Sequence, residues 1–92
     1  MITTGKADLL SSPTNFAVVQ LPERNYPGVV IQGDTLNKMV RRLDTMKGLL
    51  QKNQVEELAV ELDNIREELF QALMRYESVC TARGISLPYG DS

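Results

Sequence analysis

Between Val55 and Val79 the apolar residues stand at Val55, Leu58, Leu62, Ile65, Leu69, Ala72, Tyr76 and Val79, in steps that alternate three and four. This is the spacing of one helix face that seeks another helix. Asn53 followed by Glu56 has the form of a capping box, and Gly84 suits a left-handed C-cap. The pattern therefore predicts a helix from Asn53 to about Arg83. A second periodic run precedes it, with Leu36, Met39, Val40, Leu43, Met46, Leu49 and Leu50 on one side and charged residues between them. Asp34 or Thr35 is expected as its N-cap, and Gln51 or Lys52 as its end. A connection of two or three residues leaves these helices only one arrangement, an antiparallel αα-hairpin.

Ahead of the helices the period changes from helical to alternating. Asn15–Leu21 and Gly28–Gln32 are β-rich runs, and Pro22 to Pro27 between them is rich in turn formers. They read as a β-hairpin with apolar residues on both faces. Residues 1–14, with their Thr, Ser, Gly and Pro, read as a flexible arm, with a turn at Ala7–Leu10 as its one local feature. Residues 85–92 read as an extended tail, which Pro88 keeps out of a sheet centre. The expected fold is α+β: a two-stranded antiparallel β-hairpin followed by an antiparallel αα-hairpin with a long second helix, in one ββαα domain over 15–84.

At 1.5 Å per residue the second helix is roughly 45 Å long and the first roughly 25 Å. The first is expected to cover the second only from Val55 to about Leu69. Beyond that lies a wide apolar stripe of Leu69, Phe70, Leu73, Met74, Tyr76 and Val79. A second copy of the chain is its natural cover, so these six residues are the expected homodimer interface. The loop residues Glu23, Arg24, Asn25 and Tyr26, bracketed by prolines, form a candidate partner-binding loop, because Arg and Tyr are favoured at interfaces.

Charge supports the hairpin more than it supports a ligand. Residues 34–52 hold five basic against two acidic side chains, and residues 53–84 hold seven acidic against three basic, within a net charge of −2. Two packed antiparallel helices would carry such a pair of segments, and the total is too acidic to argue for nucleic acid. Among 92 residues there is one cysteine, Cys80, and no histidine. Zinc sites with thiolate or imidazole ligands, histidine-ligated haem and the usual catalytic triads need more than one chain of this composition offers. No cofactor is expected. Cys80 reads as a small buried hydrophobe, and a lone cysteine fits a reducing cytoplasm. The first fifteen residues lack the apolar core of a signal peptide, and no apolar run is long enough to span a membrane. Glu56, Glu57, Glu61, Asp63, Glu67 and Glu68 are the residues a metal-dependent phosphate-ester or nucleotide hydrolase would use, but no second acidic helix completes such a site. Gly28–Asp34 lacks the glycine spacing and Lys-Ser/Thr of a phosphate-binding loop.

The run Asn15-Phe16-Ala17-Val18-Val19-Gln20-Leu21-Pro22, then Arg24, then Pro27-Gly28-Val29-Val30-Ile31-Gln32-Gly33-Asp34-Thr35-Leu36, resembles the front of a small bacterial family without an assigned function. The resemblance implies a short protein with a β-hairpin followed by helices, and implies no catalytic residues. Composition and pattern together lead to the expectation of a cytoplasmic, non-enzymatic protein-interaction module that acts as a homodimer. An immunity or antitoxin-like protein that binds a specific partner is the first alternative, by analogy of fold. The metal-dependent hydrolase is the second.

Overall fold

The computed structural model describes residues 5–90. In chain order they form β1 (Asp8–Leu9), β2 (Val18–Gln20), β3 (Gly28–Val29), α1 (Gly33–Gln51) and α2 (Val55–Ala82). The fold is α+β, as the alternation of periods predicts. The chain divides into two compact units: residues 32–72, and residues up to 31 together with those from 73 onward.

The unit of 32–72 is the αα-hairpin, α1 followed by the first part of α2. Met46 and Ile65 are its buried apolar residues, with Met39, Leu49 and Leu58 half-buried beside them. Arg42 bonds Glu68 across the hairpin. The turn is built on backbone carbonyls. Asn53 donates to Leu50 O at 3.1 Å and Gln54 to Leu49 O at 2.9 Å, the paired bonds of a Schellman motif. Asn53 sits at φ +58°, the left-handed position that the motif demands. Asn53 therefore closes α1 and does not cap α2, contrary to the capping-box reading. The start of α1 differs too: Gln32 takes the N-cap position, and Asp34 lies inside the first turn, where its Oδ1 accepts from the Thr35 N–H at 2.9 Å. A carboxylate there is favoured by the helix dipole.

The other unit holds the sheet, the last part of α2 and the C-terminal tail. The sheet has three strands in the order β1-β2-β3, all antiparallel, with Asp8 opposite Gln20 and Val18 opposite Val29. The expected hairpin is present, with shorter strands, and a third strand joins it. Asp8–Leu9 lies within the stretch expected to be a flexible arm with a turn at Ala7–Leu10. Beyond β1, Leu10 N–H donates to Val18 O, and Val18 N–H donates to Ser11 Oγ, each at 2.8 Å. Phe16 does not continue β2. It stands at φ +63°, held by its N–H to Val30 O at 2.8 Å and by the neighbouring Ala17 N–H to Thr14 O at 2.9 Å. A left-handed aromatic residue is strained and persists only where its surroundings hold it.

The core of this unit is Val18, Tyr76 and Cys80, with Leu10, Val79, Ile85 and Leu87 packed around them. Tyr76 donates its hydroxyl to Pro27 O at 2.9 Å, so the one polar atom this ring brings inside is satisfied. Gly84, at φ +69°, ends α2 as expected, and Ile85 N–H and Gly84 N–H return to Cys80 O and Thr81 O. This second Schellman motif turns Ile85 and Leu87 back onto the core. The tail packs without forming a strand; Asp91 and Ser92 lie outside the described residues, as do residues 1–4 at the start of the arm.

Candidate interaction surface

A heptad seam has two kinds of position, and the hairpin of 32–72 uses them differently. On α2, Leu58, Ile65 and Ala72 turn toward α1 and are buried or half-buried. Val55, Leu62 and Leu69, three residues before or four after them, are 61%, 47% and 43% exposed. On α1, Met39, Met46 and Leu49 turn inward, while Leu36, Val40, Leu43 and Leu50 each stay about half exposed. Both helices thus carry an open row with a period of seven: Leu36, Leu43, Leu50 on one and Val55, Leu62, Leu69 on the other. Seven apolar residues in two parallel rows, counting Val40, expose on the order of 600 Å² per chain, at the top of the range for the largest patch on an ordinary monomer. Expecting α1 to satisfy α2 from Val55 to Leu69 was therefore half right: α1 covers one of the two kinds of position.

The six residues expected to form the interface are dispersed. Leu69 belongs to the open row, and Leu73 and Met74 are exposed. Phe70 lies beneath the Arg66 guanidinium, whose carbon is 4.8 Å from the ring centre. Tyr76 and Val79 are corrections. Tyr76 is buried in its own chain, and Val79 packs on the same core, because Val18, Leu10 and the returning tail cover the end of α2. Leu36, Leu43 and Leu62, expected within the hairpin core, instead lie in the open rows. The sevenfold repeat on each helix was visible in the sequence, but which of the two rows faced inward was not.

Around the other candidate, Gln20 Nε2 donates to Arg24 O at 2.7 Å and to Leu21 O at 3.1 Å, and Glu23 takes φ +65°. These contacts shape a shallow concavity of about 380 Å³ lined by Glu23, Arg24, Asn25, Tyr26 and Pro27, with the Tyr26 ring exposed. The acids of α2 do not gather. Among the described residues, no three Cys, Asp or Glu side chains converge as ligands of a metal would. Cys80 is fully buried. Burial first, and then the neighbouring Cys80, holds the Tyr76 hydroxyl above its ordinary pKa. Tyr89 donates to Glu77 Oε2 at 2.6 Å, and that bond pushes its pKa up to about 12. Among the described residues, no helix is long and apolar enough to cross a membrane.

A family model matches residues 2–89, nearly the whole sequence. The chain belongs to DUF6959, a family of unknown function. The DUF6959 match extends through both helices and most of the tail, well past the quarter of the chain that carried the resemblance to a family without assigned function. No curated protein and no solved structure matches this DUF6959 chain.

Proposed function

We propose that this DUF6959 protein is a non-enzymatic protein-interaction module that works as a homodimer in the cytoplasm. The observation that carries the reading is the pair of open apolar rows on the 32–72 hairpin. Leaving seven half-exposed Leu and Val residues in water along two helices is unfavourable by about 25 cal/mol per Å² of apolar surface. A second copy supplies a surface of the same shape and chemistry. Sedimentation velocity at micromolar concentration tests it. The wild-type chain is expected at twice the chain mass and Leu43→Asp at the chain mass. A wild-type protein that sediments as a folded monomer at these concentrations sinks the reading.

A second reading has its own observation, the concavity beneath Tyr26. There the module would be an immunity or antitoxin-like protein whose loop Glu23–Tyr26 seats a specific partner protein. Proteins encoded beside its gene are the partners to test by titration calorimetry. Binding that survives Arg24→Glu together with Tyr26→Ala would refute the loop's part. Nothing in the arrangement of the α2 carboxylates favours the hydrolase.

A further inference from the structure

We propose that two copies of this chain join through the 32–72 hairpin as a four-helix bundle in which each α1 lies on the partner's α2, with Leu43 facing the partner's Leu62. The inference rests on the homodimer reading and adds its geometry.

Counted outward from the turn at a constant rise, Leu50 stands level with Val55, Leu43 with Leu62, and Leu36 with Leu69. The rows are thus matched in height over three heptad positions each, which is the surface another antiparallel helix pair fits. About 600 Å² from each chain, before any polar rim, approaches the ~800 Å² per partner of a standard stable interface.

Two two-fold arrangements keep every neighbouring pair of helices antiparallel. With the axis parallel to the helices, α1 rests on the partner's α2. With the axis across them, α1 rests on the partner's α1 and α2 on the partner's α2. Charge separates the two. Along α1 there are four basic residues against Asp34 and Asp44; along α2 as far as Ala72 there are six acids against Arg66. Like-on-like packing would set the two acidic helices together. It would also put Leu62 opposite its own copy, and with it Asp63 beside the partner's Asp63. Like charges so placed are destabilising.

The crossed arrangement does the opposite. Lys47 falls within the open row of α1, between Leu43 and Leu50, and stands level with Leu58. Facing the partner's α2, it comes between the levels of the partner's Glu56, about 3 Å to one side, and the partner's Asp63, about 7.5 Å to the other. Its methylene stem extends the apolar row while its ammonium group reaches the acidic edge.

The test places single cysteines in the open rows of a Cys80→Ala background. Chains carrying Leu43→Cys and Leu62→Cys, with tags of different length, are co-expressed and oxidised, and each is also oxidised alone. Facing positions approach the 4.4–6.8 Å Cα separation that a disulfide needs; diagonal ones do not. The expected product is the mixed Leu43→Cys/Leu62→Cys dimer, with little from either chain alone. A strong homodimeric band from either single variant overturns the arrangement. So does the absence of any mixed band in a protein that sediments as a dimer, and that result leaves the homodimer reading standing. A monomeric wild type overturns both.

Discussion

Tyr76 shows how one residue can look like an interface in sequence and be core in structure. Its ring packs with Val18 and Cys80, and its hydroxyl reaches Pro27 O. Tyr76→Phe removes a donor and leaves that carbonyl unpaired, a loss of about 1–2 kcal/mol measurable as a lower urea midpoint. The same ring sets a pH response. A hydroxyl whose pKa is raised in the folded state binds its proton more tightly there than in the unfolded chain. Its stabilising effect is complete below the unfolded pKa of about 10 and is lost as pH rises through the folded value. The urea midpoint is therefore expected to fall above about pH 10, and Tyr76→Phe to fall less steeply; parallel curves would contradict the assignment. Cys80 belongs to the same core and, being fully buried, should react with a thiol reagent only as fast as the protein opens. Gly84 was legible in advance because only backbone chemistry was at stake. At φ +69° and with nothing within 4 Å of an added Cβ, Gly84→Ala should cost about 1 kcal/mol of backbone strain alone. Asn53 was misread for an equally local reason. An Asn serves both as an N-cap and as a left-handed closing residue, and the pattern Asn-x-x-Glu does not say which.

At the scale of elements, periodicity located both helices to within a residue or two and predicted their antiparallel pairing, since a three-residue connection leaves no alternative. It did not divide the heptad. Leu62 and Ile65 are equivalent in a helical projection of an isolated seam, yet Ile65 is buried against α1 and Leu62 lies in the open row. A paired experiment separates their roles. Ile65→Ser opens a hole in the hairpin and buries a hydroxyl, and is expected to cost about 3 kcal/mol. Leu62→Ser should leave the far-ultraviolet circular dichroism unchanged at low temperature while lowering the sedimenting mass. Equal effects on fold and mass would show that the rows are not separate. The Arg42–Glu68 pair spans the same hairpin with both side chains about a third exposed. Screening holds such a pair to about 0.5 kcal/mol, so it orients the helices more than it stabilises them. β1 escaped the sequence because two residues, Asp8 and Leu9, show no alternation to detect. They are a strand by virtue of Gln20 and Val19, eleven residues away on average, and of nothing in their own composition. The same long-range closure hid the cover over Tyr76 and Val79, which comes from Leu10 and Leu87 near the two ends of the chain.

At the scale of the whole molecule, the buried apolar set among the described residues is only Ala17, Val18, Pro27, Met46, Ile65, Tyr76 and Cys80. Chains of this length usually need help beyond a single core, and oligomerisation is one form of it. In the proposed homodimer, stability becomes a function of concentration. If folding and association are linked, unfolding releases two chains, and mass action raises the melting temperature as protein concentration rises. A wild-type chain melted from about 2 to 200 μM should gain several degrees, since each tenfold step in concentration is about 1.4 kcal/mol of association free energy at 25 °C. Leu43→Asp places a carboxylate in the open row and should remove that slope, because a monomer unfolds as a unimolecular step. Its melting temperature at every concentration should then lie below that of the wild type at the lowest one. A wild-type melting temperature that does not move across this range would mean that the open rows stay in water in the free protein, and that the 32–72 hairpin meets its cover in another molecule.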